Sequence, residues 1–344
     1  MDRMGLGIVG LGMALKPHAL ALDELRDRVE VVGAYTPSAE RRAAAAASHP
    51  FPLVNSLDAL LDDRGVRALL VLTPPRTHAD LARRAAAAGK HLLMEKPLDV
   101  DLPSARASAE LFEQRGLTLG VVFQHRFRPG ALRLSELLRD RALGTLLSVS
   151  TSIRWWRSAE YFAQPGRGMF ARDAGGVLLT QAIHTLDLLL DLVGPAQRVL
   201  ATCRTSPLRS IDTEDIACAT VTYANGALGV IDATSTAYPG YSERIDIAGE
   251  LGSAVLEAET LRVHMHGRES IEVAGSRSGG GGADPMAFSH EPHRRLIEDF
   301  VTAIEQGRSP RVSGRSALRV QALIDAMLQS SRSGQAADVV DTRA

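Results

Sequence analysis

The sequence predicts two domains: an α/β domain with a parallel sheet, followed by an α+β domain with an open, mostly antiparallel sheet. Three observations carry this. The chain has 344 residues, and domains run to roughly 100–200 residues each. Up to about Phe127, short apolar runs alternate with helical segments, which is the pattern of parallel strands joined by crossover helices. From Arg198 to Val273, strand-like runs instead follow one another with turn signals between them.

In the first domain, Leu6–Val9 reads as a short buried strand that runs through Gly10-Leu11-Gly12 into a helix ending near Asp23. Val29–Tyr35 is a second strand and Ala39–Ser48 an alanine-rich helix. Arg67–Leu72 is a strand stopped by Thr73-Pro74-Pro75, and Thr77 is placed to cap a helix from His78 to Ala88, which Gly89 ends. His91–Met94 is a strand leading into Glu95-Lys96-Pro97. A helix from Leu102 to Arg115 and a strand from Thr118 to Phe123 complete the alternation. The apolar runs are continuous because such strands are covered on both faces.

In the second domain, Leu132–Asp140 is helical, Leu146–Arg157 a strand and Gly176–Leu192 a helix. Ala224-Asn225-Gly226-Ala227 joins the strands Ile216–Tyr223 and Leu228–Ala233 as a hairpin, and Glu250-Leu251-Gly252 marks another turn. Ser276–Asp284, with four successive glycines, reads as a loop. Helices at Pro292–Glu305 and Ser316–Ser331 close the chain. The boundary is placed at 126/127, giving domains 1–126 and 127–344, with the closing helix able to pack back on the first.

Composition excludes several classes. Hydrophobic residues make up 45% and charged residues 23%, so the chain is neither disordered nor fibrous. Lys+Arg of 39 against Asp+Glu of 40 leaves a net charge of −1, which supplies no electrostatic reason to bind nucleic acid or an anionic membrane. Met1–Gly5 leads directly into strand-like sequence rather than a leader, and the apolar run Leu186–Val193 is interrupted by Asp187 and Asp191, so no membrane span is expected. Cys203 and Cys218 cannot form a disulfide framework and read as small core residues. His264 and His266 alternate on a strand without a third ligand, so no metal site is expected. His290 and His293 read as helping to start the helix that follows them. The expected location is the cytoplasm.

Gly10, Leu11, Gly12, Met13 and Ala14 form the strongest candidate site, because a glycine pair between a strand and a helix is the context of a dinucleotide pyrophosphate turn. Leu15 stands where a third glycine falls. The second strand ends in Tyr35-Thr36-Pro37-Ser38, with no carboxylate to hold a ribose 2′-hydroxyl. Thr36 and Ser38 can donate to a phosphate, and Arg41 or Arg42 can neutralise it. The preferred cofactor is therefore NADP(H), with NAD(H) as the alternative.

Lysine occurs only at Lys16, Lys90 and Lys96 among 39 basic residues. Arginine replaces most surface lysines without loss, but not a lysine needed as a compact, titratable amine. Lys96 follows a strand at the carboxyl end of the sheet, where ligands bind. On the later helix, Thr180, His184 and Asp187 fall on one face, and His184 across a cleft from Lys96 is a candidate general base.

Taken together, Gly10-Leu11-Gly12, Thr73-Pro74-Pro75-Arg76-Thr77-His78, Glu95-Lys96-Pro97, Gln124-His125-Arg126-Phe127, Gly175-Gly176…His184-Thr185-Leu186-Asp187, Asp212-Thr213-Glu214-Asp215 and Asn225-Gly226-Ala227 resemble, in order and spacing, the glucose–fructose oxidoreductase / inositol dehydrogenase / rhizopine-catabolism family (Gfo/Idh/MocA). The resemblance covers nearly the whole chain. It implies a Rossmann domain, a second domain whose open sheet serves the oligomer interface, and a homodimer or homotetramer. It also implies NAD(P)-dependent hydride transfer at a carbinol or carbonyl carbon of a sugar, cyclitol or derivative. Lys96 and His184 match the catalytic lysine and histidine. Thr73, Pro74, His78 and Glu95 fall where the family lines the cofactor pocket. The family often has Asp four residues before the histidine, where this chain has Thr180, so the proton relay rests on His184 while Thr180 orients a hydroxyl. Arg126, Arg154, Trp156, Tyr161, Arg167 and Tyr238 are the substrate-pocket candidates, arginines for an anionic group and aromatics for a sugar face. Two other readings remain: a glycoside hydrolase with permanently bound NAD, and a non-catalytic cofactor-sensing protein.

Overall fold

A computed structural model describes residues 3–275 and 289–342 of the chain, so the glycine-rich segment at 276–284 lies outside the described residues. The chain forms two compact units, one of residues 1–123 with 290–318 and the other of 124–289 with 319–344.

The first unit is built on β1 (Met4–Val9), β2 (Val29–Tyr35), β3 (Ala68–Val71), β4 (His91–Met94) and β5 (Leu119–Val121). All pair in parallel in the order β2-β1-β3-β4-β5. β1, β3 and β5 are buried along their whole length, as continuous apolar runs require. The connections are α1 (Leu15–Glu24), α2 (Ala39–Ser48), α3 (Leu57–Leu61), α4 (His78–Ala87) and α5 (Leu102–Gln114). Ser38, Ser56 and Asp101 cap α2, α3 and α5 through their side chains. Thr77 does not cap α4. Its hydroxyl donates to the Pro74 carbonyl at 2.8 Å and closes the turn Pro75–Thr77 instead.

The helix Glu291–Gln306 belongs to this unit, tied by the Arg28–Glu305 pair at 2.6 Å and by Phe300 against Gly120. Neither His290 nor His293 caps it. His290 reaches Glu24 at 2.8 Å, and His293 is buried edge-on against His18, their ring centroids 5.0 Å apart.

The second unit begins with α6 (Pro129–Arg139) and β6 (Leu146–Arg154), followed by the short turns α7 (Ala159–Phe162) and α8 (Phe170–Asp173) and by α9 (Ile183–Val193). Then come β7 (Ala196–Arg204), β8 (Ile216–Tyr223), β9 (Leu228–Thr234), β10 (Arg244–Gly249), β11 (Gly252–Glu257), β12 (Thr260–Met265), β13 (Ile271–Val273) and, after the helix Gly314–Ser333, β14 (Ala337–Asp338). Among the described residues the sheet order is β13-β12-β11-β10-β6-β9-β8-β7-β14, antiparallel except for the pair β6–β9. The Asn225-Gly226 turn forms as expected, with the Ala227 amide donating to the Asn225 side chain at 3.1 Å.

One face of this sheet is buried and the other open, because strand side chains alternate. Val149, Thr151 and Ile153 of β6 are buried, whereas Leu147, Ser148, Ser150 and Arg154 are exposed. The cysteines are not core residues: Cys218 is exposed on β8, and Cys203 is half-buried. By length and composition the helical stretch Phe170–Val193 could cross a bilayer, contrary to the sequence expectation. However, 83% of its apolar window is packed inside the protein, so its hydrophobicity belongs to the core. No group of three or more His, Cys, Asp or Glu able to hold a metal exists among the described residues.

Candidate active site

In the first unit, β1 ends at Val9 and Gly10 turns the chain with φ +102°, a conformation that favours glycine. A Cβ there would lie 2.8 Å from the Leu72 carbonyl, so the turn is pressed against the end of β3. At Gly12 a Cβ would meet only the Arg41 guanidinium, at 4.0 Å. The turn is therefore open above Gly12, with a cation beside it. α1 follows with no acidic residue in its first turn and no side-chain cap, so its amide end suits an anion. The cradle fits a dinucleotide pyrophosphate. Leu11 is buried and Met13 exposed at its rim, with Ala14 at the N-cap position of α1.

The end of β2 holds its three candidates differently. Ser38 is spent on capping α2 through the Arg41 amide at 3.2 Å. Arg41 extends toward Gly12. Thr36 is only 3% exposed, so its hydroxyl is not presented to a phosphate. Arg42 donates to the Thr36 carbonyl at 2.6 Å and stiffens the corner.

His78 is a structural pin rather than a cofactor ligand. It is fully buried, with Nε2 2.9 Å from the Thr73 carbonyl and Nδ1 3.0 Å from the Pro97 carbonyl. Burial pushes its pKa below the ordinary value despite these carbonyls. It ties the Thr73-Pro74 turn, where the Thr73 and Thr77 hydroxyls lie 2.7 Å apart, to the Glu95-Lys96-Pro97 segment after β4. Glu95 is anchored too. One oxygen meets His18 Nε2 at 3.0 Å and the other accepts the Lys96 amide at 3.0 Å. Burial pushes the Glu95 carboxyl up, but His18, the Lys96 charge and its amide together outweigh it and hold the group below the usual carboxylate range. The lysine segment is thus fixed to α1 through His18. Of the other lysines, Lys90 is buried and bound to the Asp63 and Val66 carbonyls, and Lys16 is exposed.

In the second unit the helix expected from Gly176 begins instead as a π-turn, Leu178–Ala182, before α9. Such widened turns concentrate at functional sites. Glu214 clamps its start: its carboxylate accepts the Gly176 and Leu178 amides, each at 3.1 Å, and its carbonyl accepts the Val177 amide at 2.7 Å. A Cβ on Gly176 would fall 1.9 Å from the Glu214 carbonyl oxygen. Gly176→Ala is therefore expected to cost roughly 1–3 kcal/mol by overpacking, read as a lower chemical-denaturation midpoint. An unchanged midpoint would show that the clamp can relax.

Thr180 sits in the π-turn and donates its hydroxyl proton to the Gly176 carbonyl at 2.7 Å. His184 is half-buried at the start of α9, with the His125 ring stacked on it at 5.0 Å. Asp187 is not part of a polar catalytic face. It is 1% exposed and grips Arg126 through both oxygens, at 2.5 and 2.6 Å, and Asp191 takes a third guanidinium nitrogen at 3.0 Å. Burial works against the Arg126 charge, but Asp187 more than offsets it and raises the arginine's pKa. Arg126 is thus committed to the core and is not a substrate ligand. Arg154 is also misplaced as a substrate ligand: strand alternation turns it to the open face, where it pairs with Asp232 at 2.5 Å.

The other four substrate candidates are brought together by ring contacts. Tyr238 meets Trp156 edge-on at 5.5 Å, and the Arg209 guanidinium lies 5.4 Å from the Trp156 ring and 4.5 Å from Phe162. Phe162 meets Tyr161 at 5.0 Å, and Arg167 lies over Tyr161 at 5.0 Å. Tyr161, Arg167 and Thr180 line one small pocket with Phe162 and Glu214. His18, His125, Arg209 and Glu214 are the participants that the residue-by-residue reading missed. For His125 and Glu214 a signal existed, since both lie in the motif segments quoted above.

The comparisons with known proteins follow the same two-part division. Residues 4–123 match the model of an oxidoreductase family with an NAD-binding Rossmann fold, and residues 131–255 match the GFO/IDH/MocA C-terminal domain. Inositol 2-dehydrogenase of Rhizobium meliloti is 30% identical, covering 94% of this chain and 96% of that protein. Among solved structures, levoglucosan dehydrogenase in complex with NADH has a TM-score of 0.87 at 25% identity, over 99% of this chain and 100% of that one. The WlbA dehydrogenase of Bordetella pertussis, in complex with NADH and UDP-GlcNAcA, has a TM-score of 0.84 at 27% identity, with the same coverage. The glycine turn, the lysine segment after β4, the histidine helix and these matches agree: the chain belongs to the Gfo/Idh/MocA family of NAD-binding oxidoreductases.

Proposed function

We propose that the protein interconverts a carbinol and a carbonyl carbon on a sugar, cyclitol or derivative, with NADP(H) preferred over NAD(H). The observation that carries the reading is the joint presence of Lys96, held by the anchored Glu95 segment after β4, and His184, held at the junction of the π-turn and α9. When bound, the nicotinamide supplies the hydride acceptor. His184 takes the proton of the substrate hydroxyl, and the Lys96 ammonium stabilises negative charge developing on that oxygen. Thr180, whose own proton goes to Gly176, accepts a hydrogen bond from a neighbouring substrate hydroxyl. Trp156 and Tyr238 offer faces for a sugar ring.

The corner after β2 supports the cofactor preference. It carries no carboxylate, and Arg41 borders the open turn at Gly12. Fluorescence titration is expected to show NADPH binding tighter than NADH by about tenfold, and Arg41→Ala to remove that difference while sparing NADH. Tighter binding of NADH would overturn the cofactor assignment and leave the dehydrogenase reading to a polyol and aldose screen. The exposed Leu147, Leu200, Leu228 and Val230 on the open sheet support a homodimer or homotetramer.

A further inference from the structure

We infer that His125 is a positioning residue for His184, and that Arg128 dictates which His125 ring nitrogen carries the proton. His125 lies in the tight turn Gln124–Phe127 and is 4% exposed. Its ring stacks on His184 at 5.0 Å with the planes 29° apart. His125 Nε2 is 2.7 Å from Arg128 Nη2. A guanidinium has five donors and no acceptor, so Nε2 accepts, and the ring's proton sits on Nδ1. Arg128 is itself fixed, with Nη1 2.5 Å from Glu243 Oε1 and 3.3 Å from the Ala258 carbonyl. The adjacent cation, Arg126, is turned away into Asp187 and Asp191. A second proton on His125 would set two cations 2.7 Å apart.

The consequence falls on His184. The last torsion of a histidine side chain is broad and roughly two-fold, so the side chain alone does not fix the ring plane. A base works only when its lone pair points at the proton it takes. The flat, uncharged His125 ring covers one face of His184 and sets its plane. The chain Glu243–Arg128–His125–His184 thus carries order from the start of β10 to α9. The catalytic meaning of this order rests on the proposed function, but the state of the two rings does not.

Long-range proton–nitrogen NMR of the full chain labelled at histidine tests it, with signals assigned through His125→Phe and His184→Asn. At neutral pH His125 is expected as the Nδ1–H tautomer, opposite to the preference of free imidazole. A His125 protonated on Nε2 or on both nitrogens would overturn the assignment. Relaxation of the His184 ring is expected to show an ordered ring in the parent and in His125→Phe, which keeps a flat platform, and a mobile ring in His125→Ala. Equal order in all three would overturn the positioning role. On the polyol or aldose that the enzyme turns over, His125→Ala should lower kcat by about 10–100-fold with KM little changed, and His125→Phe should recover most of it. Absence of turnover in the parent would count against the dehydrogenase reading and would leave the NMR result standing.

Discussion

Lys96→Met is expected to lower turnover by about 10²–10⁴-fold, the usual contribution of a positioned acid–base group, while NADPH binding stays at the parent value. Methionine keeps the unbranched stem and removes the ammonium. The segment itself should hold, because the Glu95 carboxylate accepts the backbone amide of residue 96, which methionine keeps. His18 continues to anchor Glu95 from α1. Steady-state kinetics beside a fluorescence titration separates the two readouts. Lys96→Arg sharpens the result: guanidinium keeps the charge but is larger, planar and never gives up a proton. If arginine restores turnover, only charge was needed. If it does not, the compact amine was needed. Near-normal turnover in Lys96→Met would remove Lys96 from the chemistry.

Local signals carried much of the fold. The strand Val29–Tyr35, the helix Ala39–Ser48, the strand His91–Met94 and the strand Ile216–Tyr223 were readable to the residue, because apolar runs and their Gly, Pro or Ser punctuation lie within a few positions of each other. The glycine turn was readable for the same reason. What sequence spacing cannot show is a partner far along the chain. His18 meets Glu95 77 positions away, and Arg126 meets Asp187 61 positions away. Glu95 and Arg126 each looked like a ligand residue until the other side chain was placed against it. Strand period shows which residues share a face, but not which face the helices will cover, so Arg154 and Cys218 were misassigned. The widened turn at Leu178–Ala182 was hidden because the apolar pattern around it still reads as an ordinary helix. The tie that shapes it, Glu214 on Gly176, comes from a loop 38 residues later.

Two arginines that look alike in the sequence should then behave very differently when replaced. Arg126→Met leaves Asp187 and Asp191 beside an apolar side chain, with Asp187 only 1% exposed. Breaking a buried pair by removing one partner costs about 3–5 kcal/mol, because the remaining charge has lost its solvation and its counter-ion. A domain has only about 5–15 kcal/mol to lose. At roughly 2–4 °C per kcal/mol for a unit of this size, the expected fall in Tm is about 6–20 °C. Arg154→Ala removes a pair in which the arginine side chain is 50% exposed. Solvent screening holds such pairs to about 0–1 kcal/mol, so its Tm should stay near the parent value. Asp187→Asn combined with Arg126→Met should recover part of the loss, since the double change removes both charges. If Arg126→Met melted with the parent and instead raised KM for the polyol, the guanidinium would be a substrate ligand after all, and the second unit would have to open to present it.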